Sequence, residues 1–334
     1  MSLMAKEAAQ APQAAARFLQ CNGEALAALG ARLRRDPPSL VITSARGSSD
    51  HAAGYFKYLC EILTGVPCAS IGASVVSVYG ARLTAPRALS LTISQSGQSP
   101  DVTALQRAAR EGGATAVALV NAPDSPVGRG AEICLDLCAG EERSVAATKS
   151  FLVSCLAGAA VIAHWTGDQA LLAAVARLPE TLAAALRLDW PFLPSLAERA
   201  TSIYVLGRGP GLPIAQETAL KLKETCSLHA EAHSAAEVMH GPLELLEPGF
   251  PVIVFAPADA AQAMTRQAVD TLREAGAEPH VVDGRDIPYV PSGHPLLDPV
   301  SMMATAYLAV EKTAVKLGRD PDRPRLLRKV TQTR

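Results

Sequence analysis

Short apolar runs alternate along the chain with longer stretches of helical periodicity. The runs hold four to seven residues and are apolar on both faces, as strands buried in a parallel sheet are. We predict strands at Leu40–Thr43, Ala88–Ser94, Ala116–Val120 and Ile133–Cys138. Amphipathic stretches such as Asp50–Leu63 and Pro100–Glu111 lie between them and predict helices. The alternation indicates an α/β fold, in which helices cover both faces of a parallel sheet.

The pattern of the first half returns about 160 residues later. Val41–Gly47 returns as Ile203–Gly209, Leu91–Ser94 as Val252–Phe255, and Ala109–Ala114 as Leu272–Ala277. We therefore predict two copies of one domain, at 36–188 and 195–334, after an N-terminal segment at 1–35 with a helix at about Ala11–Leu33. The join is expected near Asp189–Pro194, where two prolines interrupt the helical periodicity.

Composition and charge restrict the classes of partner. The chain has 334 residues, of which 49% are hydrophobic, and 31 Lys and Arg balance 32 Asp and Glu. Because this balance leaves no basic surface, we expect neither nucleic acid nor membrane as a partner. The longest apolar stretch, Phe151–Ala163, is shorter than the roughly 20 residues that span a bilayer, which favours a buried core helix.

Cysteine usage and the N-terminus indicate the compartment. The seven cysteines form no C-x-x-C pair, and most lie in apolar runs such as Ile133–Leu135, which is typical of buried, reduced thiols. The N-terminus lacks the pattern of a secretory signal peptide. We therefore expect a cytoplasmic protein.

A hydroxyl-rich turn follows the predicted strand Ala88–Ser94 and offers an anion site. Ser99 suits the N-cap of the next helix and Pro100 suits its first position. A helix N-terminus presents unpaired N–H groups and the positive end of a dipole, so this turn could hold a phosphate. The segment Arg46–Asp50 makes a similar turn, and both turns would lie at the carboxyl edge of the sheet, where ligands usually bind.

The alternative for either turn alone is ordinary helix capping, but two such turns in one half favour an anion site. The second copy differs, because Ala256–Asp259 stands where the first copy has Ser94–Gly97. The hydroxyls are lost there and an acid is gained. The sequence therefore predicts one anion site per chain.

Acidic and basic side chains cluster in the second copy. Glu217 and Glu224 share a face of a predicted helix, and His229, His233 and His240 would share one too if that helix continued. The spacing is not H-E-x-x-H and no cysteine lies nearby, so we expect no metal site. A Glu, a His and lysines near an anion site could instead act as general acid and base on a sugar phosphate.

A glycine-rich turn at Gly207–Gly211 follows the first strand of the second copy. Its spacing is not G-x-G-x-x-G, and Pro210 disturbs the start of the helix, so we favour a turn that binds no dinucleotide. No cofactor is expected.

Six segments together resemble a known family. They are Arg46–Ser49, Ile93–Gly97, Ser144–Lys149, Leu220–Glu224, Glu237–Pro242 and the tail Asp320–Lys329. In this order they resemble the tandem sugar isomerase (SIS) domains and the C-terminal tail of glucosamine-6-phosphate synthase. The resemblance implies two SIS domains, each a flavodoxin-like αβα sandwich, and a homodimer.

The resemblance also implies roles for individual residues. The positions that match the family's phosphate-binding residues are Ser49, Ser94, Gln95, Ser96 and Ser99. Val145 matches a position that lines the sugar site through its backbone, and Glu224 matches the base that moves a proton between sugar carbons 1 and 2. His240 matches the ring-opening acid/base, which the neighbouring subunit contributes in this family, and Lys329 matches a lysine that forms a Schiff base with the open ketose.

The chain departs from the synthase at its N-terminus. The synthase has a glutaminase domain that supplies ammonia, whereas about 40 residues precede the first matching motif here. We therefore expect the reverse reaction, in which glucosamine 6-phosphate gives fructose 6-phosphate and ammonia, as in stand-alone SIS-type deaminases. An enzyme for another aminated sugar phosphate, such as a deglycase, is one alternative, and a non-catalytic phosphosugar sensor is another. Glu224, His240 and Lys329 together favour an enzyme.

Overall fold

The computed structural model describes residues 1–329. The chain divides into two compact units. The first unit holds Gln13–Glu142 and Lys149–Ala176, and the second holds Met1–Pro12, Arg143–Thr148 and Arg177–Lys329. Each unit contains one parallel sheet, which confirms the predicted fold class. These units do not follow the linear bounds 1–35, 36–188 and 195–334, because residues 1–12 and 143–148 belong with the second sheet.

The first unit is built on a five-stranded sheet. Helix α1 (Leu3–Ala8) opens the chain and belongs to the second unit, and α2 (Ala11–Arg35) leads into the first. The strands are β1 (Leu40–Ser44), β2 (Cys68–Ser70), β3 (Ala88–Ser94), β4 (Thr115–Val120) and β5 (Ile133–Asp136), in the order β2-β1-β3-β4-β5. The helices that follow α2 are α3 (Ser48–Thr64), α4 (Ser74–Ser77), α5 (Pro100–Glu111), α6 (Pro126–Gly130), α7 (Lys149–Thr166) and α8 (Gln169–Ala185). The four predicted strands are confirmed, and the short strand β2 was not predicted.

Helix α7 lies in the core. It is long and apolar enough to cross a membrane by length and composition, but 89% of it is buried inside the structure. Gly158 allows α7 to pack closely on α3, because a Cβ at this position would lie 3.3 Å from the ring and Cβ of Phe56. The predicted core position of Phe151–Ala163 is therefore confirmed.

The second unit is built on a four-stranded sheet. Its strands are β6 (Ser202–Gly207), β7 (His229–Ser234), β8 (Pro251–Phe255) and β9 (Glu278–Val282), in the order β7-β6-β8-β9. Its further helices are α9 (Phe192–Arg199), α10 (Gly211–Cys226), α11 (Gln262–Glu274) and α12 (Asp298–Lys316), with 3-10 turns at Glu237–His240 and Pro242–Leu245.

The two sheets repeat one design. In each, the first strand lies between the second and third strands in chain order. The repeat extends to detail, since the amide of Ala114 donates to Ala109 and that of Ala277 to Leu272, both at 3.0 Å. Gly113 and Gly276 precede these residues with φ of 101° and 87°, a conformation that favours glycine. The predicted internal repeat is confirmed.

The predicted join near Asp189–Pro194 contains a real break between helices, since α8 ends at Ala185 and α9 begins at Phe192. The segment is not an exposed linker, however. Trp190 is buried and its Nε1 donates to the carbonyl of Pro288 at 2.9 Å. This segment therefore packs within the second unit.

The cysteines agree only in part with prediction. Cys60, Cys68, Cys155 and Cys226 are buried, whereas Cys21 and Cys134 are exposed. Cys134 was predicted to be buried, and this was wrong because β5 is the edge strand of its sheet. None of the seven, all within the described residues, forms a disulfide.

Candidate active site

The turn from β3 to α5 has a shape that only glycine permits at its centre. The Oγ of Ser94 accepts a hydrogen bond from the amide of Gly97 at 2.9 Å. Gly97 has a φ of +63°, and a Cβ there would lie 1.9 Å from the Oγ of Ser125. The turn thereby brings the side chains of Ser94, Gln95 and Ser96 to the carboxyl end of β3.

Ser99 is the N-cap of α5, as predicted, but its side chain makes no capping hydrogen bond. Pro100 occupies the first turn of this 12-residue helix, also as predicted. Because the hydroxyl of Ser99 does not cap the helix, the ordinary-capping alternative does not account for this serine. A hydroxyl at a helix N-terminus is suited to donate to an anion.

Arg46 joins the turn after β1 to the turn after β3. Its Nε and Nη2 both donate to Oδ2 of Asp101, at 2.9 and 2.7 Å. Ser44 pairs with Thr92, so the ends of β1 and β3 lie side by side. Asp101 is 3% exposed and would repel a phosphate, and Arg46 supplies the opposite charge beside it.

Ser49 lies half-buried in the first turn of α3. The N-cap of that helix, Gly47, has a φ of 56° and no side chain to cap the helix. Burial raises the pKa of the neighbouring Asp50, although His51 and Arg46 lower it. The first unit therefore places two helix N-terminal turns at one sheet edge, and these turns hold all five predicted phosphate residues.

The corresponding turn of the second sheet differs in the way the sequence indicates. Asp259 follows β8, and its Oδ1 accepts the amide of Ala261 at 2.8 Å. Burial raises the pKa of Asp259. The carboxylate of Asp259 thus accepts the backbone amide of Ala261, which is then not available to bind an anion. This supports a single anion site per chain, in the first unit.

The glycines after β6 have a packing explanation. A Cβ on Gly207 would lie 2.3 Å from the carbonyl oxygen of Gly211, so glycine lets α10 start close to the strand. Pro210 is the N-cap of that helix.

Helix α10 carries a buried lysine between two carboxylates. The Nζ of Lys221 lies 3.4 Å from Glu217 and hydrogen-bonds to Glu224. Tyr307 donates to Oε1 of Glu217 at 2.9 Å. This confirms that Glu217 and Glu224 share a helix face. The role of Tyr307 had no sequence signal, because it lies 90 residues away on α12.

The environment keeps Lys221 charged. Burial alone lowers the pKa of Lys221, but the carboxylates of Glu217 and Glu224 outweigh burial and raise it. Glu224 is 19% exposed at its side chain, whereas Lys221 and Glu217 are fully buried. The arrangement presents one carboxylate at the surface of a buried charged cluster, as a general base requires.

Helix α10 does not continue through the histidines, so the condition under which His229, His233 and His240 would share a helix face is not met. The helix ends at Cys226, and Ser227 has a φ of 53° and caps it through its backbone amide. The next segment pairs with β6 as strand β7, so His229 and His233 lie four residues apart on a strand. His229 Nδ1 lies 2.8 Å from the Oγ of Ser202. Within residues 1–329, no group of three or more His, Cys, Asp or Glu could hold a metal ion.

The remaining predicted residues also lie in the second unit. His240 ends the 3-10 turn Glu237–His240 and is exposed. Val145 is half-buried in the loop Arg143–Thr148, and Lys329 is half-buried at the end of the described chain. The five predicted phosphate residues thus belong to the first unit, and Val145, Glu224, His240 and Lys329 to the second. Their individual roles stay predictions.

Comparison with known proteins identifies relatives for both halves. A family model described as "SIS domain" matches residues 38–164 and 196–286. The glutamine–fructose-6-phosphate aminotransferase (isomerizing) of Thermus thermophilus is 34% identical over 308 residues, which cover 85% of this chain and 50% of that protein. The chain spans about half the length of the curated relatives it matches.

Solved structures extend the likeness over the whole chain. A candidate phosphosugar isomerase from Silicibacter pomeroyi DSS-3 is 46% identical, with a TM-score of 0.92, and the match covers 96% of this chain and 100% of that one. A glucosamine-6-phosphate deaminase from Thermotoga maritima is 19% identical, with a TM-score of 0.80 over 99% and 100% of the two chains. The second likeness shows a common fold.

Proposed function

Because this chain belongs to the SIS domain family, whose model matches both halves, we propose that it is an amino-sugar phosphate deaminase. In this proposal it converts glucosamine 6-phosphate and water to fructose 6-phosphate and ammonia. The observation that carries the proposal is the surface carboxylate of Glu224 bonded to the buried Lys221. A carboxylate placed in this way can remove a proton from carbon 2 of an open-chain amino sugar.

The reaction begins with binding and ring opening. The turn Ser94–Ser99, with Ser49, holds the phosphate and so fixes the position of carbons 1 and 2. His240 moves the proton that opens the sugar ring, and we propose that it does so in the site of the neighbouring subunit of a homodimer. The phosphorylated amino sugar and a second copy of the chain are the proposed partners.

Proton transfer and hydrolysis follow. Glu224 takes the proton from carbon 2 and returns it to carbon 1, which converts the amino aldose to a ketose imine. Water then adds to carbon 2 and ammonia leaves, so that atoms and charge balance. In a second route to the same products, Nζ of Lys329 adds to carbon 2 and ammonia leaves, and water then hydrolyses the lysine imine.

Lys221 is proposed to fix the position of the Glu224 carboxylate. The lysine hydrogen-bonds to that carboxylate and lies 3.4 Å from the carboxylate of Glu217 on the same helix. Burial lowers the pKa of Lys221, but the two carboxylates raise it by more, so Lys221 is charged at neutral pH.

We propose deamination rather than amination because the two directions need different co-reactants. Hydrolysis of the imine needs only water, whereas amination of fructose 6-phosphate needs ammonia delivered to the site. The Thermotoga maritima deaminase shares the fold from end to end and lends further support.

The test is the release of ammonia from glucosamine 6-phosphate by the purified protein without glutamine, coupled to detection of fructose 6-phosphate. Equal amounts of both products support the proposal. No release, with thermal stabilisation by the same sugar phosphate, rejects this substrate. Turnover of another aminated sugar phosphate, such as a fructosamine 6-phosphate, would then indicate a deglycase, and binding without turnover of either would indicate a sensor.

We also propose that the protein works in the cytoplasm. Burial raises the pKa of Cys60 to about 11 and that of Cys68 to about 12, so both stay protonated at neutral pH. Buried thiols outside disulfides are usual in reducing compartments.

A further inference from the structure

A carboxylate at the N-terminus of the chain holds the loop that contains Val145. Glu7 lies on α1, is 3% exposed, and accepts the backbone amides of Arg143 at 2.6 Å and Ser144 at 3.1 Å. A buried carboxylate is costly unless hydrogen bonds satisfy its oxygens, and here each oxygen accepts one amide. Glu7 and the loop are 136 residues apart in sequence and both belong to the second unit.

Helix α1 is in turn fixed by the C-terminal tail. The carboxylate of Asp322 accepts the amides of Leu3 at 2.6 Å and Met4 at 2.7 Å, one on each oxygen. This is a negative charge on the unpaired N–H groups of a helix N-terminus, the arrangement that the helix dipole favours. Asp322 precedes Lys329 by seven residues.

A third contact fixes α1 to the body of the second unit. The hydroxyl of Ser2 accepts the amide of Ala5 at 3.1 Å and donates to Oε1 of Glu311 on α12 at 2.6 Å. Met4 and Ala8 are fully buried. A helix of six residues has little stability of its own, so α1 depends on these contacts for its position.

We infer that α1 is a clamp that joins the tail of Lys329 to the loop of Val145. Asp322 in the tail accepts hydrogen bonds from the first turn of α1, and Glu7 in the last turn of α1 accepts hydrogen bonds from the loop. One short helix therefore holds both the tail and the loop in place in the second unit. Glu7 is therefore a positioning residue for the sugar-lining loop, and Asp322 is one for the catalytic tail. The expected effect on turnover rests on the proposed function, whereas the expected effect of α1 on the order of the loop 143–148 does not.

The decisive variant is Glu7→Gln. An amide side chain keeps the shape of Glu7 but presents one oxygen and one NH2 group, so one of the two loop amides would face a donor. We expect faster hydrogen exchange in peptides that cover 143–148 and unchanged exchange in β6. For glucosamine 6-phosphate, kcat/KM should fall about tenfold to hundredfold, the size expected when reacting groups are slightly misplaced. Glu7→Asp, which keeps both acceptors, should recover part of this loss.

Glu24→Gln is the matched control, because Glu24 is exposed on α2 and loses the same charge. It should change neither exchange nor turnover. Asp322→Asn tests the coupling from the other end, and remains available if Glu7→Gln does not fold. It should speed exchange at Leu3 and Met4 and also in 143–148.

The outcomes separate the two proposals. Unchanged exchange in 143–148 in Glu7→Gln overturns the clamp, whether or not the wild type turns over substrate. Faster exchange at Leu3 and Met4 alone in Asp322→Asn overturns the link between tail and loop. A wild-type protein that releases no ammonia, together with faster loop exchange in both variants, overturns the proposed function and leaves the clamp standing.

Discussion

Lys221 donates a hydrogen bond to the carboxylate of Glu224, one turn further along helix α10, and lies 3.4 Å from the carboxylate of Glu217. The lysine and Glu217 are fully buried, whereas Glu224 reaches the surface. The buried pair of Lys221 and Glu217 thus contributes to stability, whereas Glu224 is accessible to a substrate. Removing the lysine should affect both stability and turnover.

Lys221→Met should lower the free energy of unfolding by about 3 kcal/mol or more, because it leaves Glu217 buried without its cation. Lys223→Met is the matched control on the same helix, since Lys223 is exposed, and its effect should stay within about 0.5 kcal/mol. Urea unfolding of both variants measures this. Similar losses for the two variants would contradict the account.

The pH dependence of that loss has a defined sign. The carboxylates raise the pKa of Lys221 above its ordinary value of 10.5. The stability that Lys221 adds is therefore complete below 10.5 and is lost as the pH rises through the higher folded-state pKa. The difference in unfolding free energy between wild type and Lys221→Met should stay constant from neutral pH to about pH 9 and shrink only above 10.5. A difference that already shrinks near neutral pH would show that Lys221 is not held charged.

Ser99→Ala should leave stability nearly unchanged and weaken phosphosugar binding. An N-cap serine usually contributes about 1 kcal/mol, but the side chain of Ser99 makes no capping bond. Ser125→Ala is the contrasting variant, because the Oγ of Ser125 does accept the amide of Gly128, at 3.3 Å. It should lose about 1 kcal/mol of stability. Thermal unfolding with and without glucosamine 6-phosphate separates the two effects, and a stability loss in Ser99→Ala without a binding loss would favour plain capping.

Arg46→Ala should weaken phosphosugar binding about tenfold, because it removes the positive charge that offsets the carboxylate of Asp101 beside the phosphate turn. Adding Asp101→Asn to this variant should restore part of the affinity. The control is Arg87→Ala, which breaks an exposed pair with Asp36. Calorimetric titration measures all three. No recovery in the double variant would show that charge repulsion is not the cause.

Thiol labelling tests the burial of the cysteines. At pH 8 an alkylating reagent should modify the exposed Cys21 and Cys134 first, whereas Cys60, Cys68, Cys155 and Cys226 should react only after unfolding. Burial and a hydrogen bond to Cys21 raise the pKa of Cys138 to about 12, which should slow its reaction. Peptide mapping identifies the labelled sites, and early modification of Cys60 or Cys68 would contradict the packing described.

The sequence predicted elements whose signals are local. The bounds of β3 and α5 agree with prediction, because an apolar run, an N-cap serine and a proline at the first helical position mark them within a few residues. Strand β7 was not predicted, although its sequence His-Ala-Glu-Ala-His alternates polar and apolar residues as a half-buried strand does. Within residues 1–329 it pairs with β6, 27 residues earlier, and the sequence does not mark such pairing between distant segments.

The candidate site shows the same limit. Glu217 and Glu224 could be placed on one face from their spacing alone, and the structure confirms it. The hydrogen bond from Tyr307 to Glu217, and those from Arg143 and Ser144 to Glu7, join residues 90 or more apart. Such contacts depend on the folded arrangement of whole elements, so no motif in the sequence could indicate them.

The most direct test of the central claim compares Glu224→Gln with the wild type in turnover and in binding of glucosamine 6-phosphate. The wild type should release ammonia and fructose 6-phosphate in equal amounts. Glu224→Gln should lose at least about a hundredfold in kcat and bind the sugar phosphate nearly as well, because it lacks only the base. Glu231→Gln, at an exposed position on β7, should retain full activity. Turnover by Glu224→Gln at the wild-type rate would contradict the account.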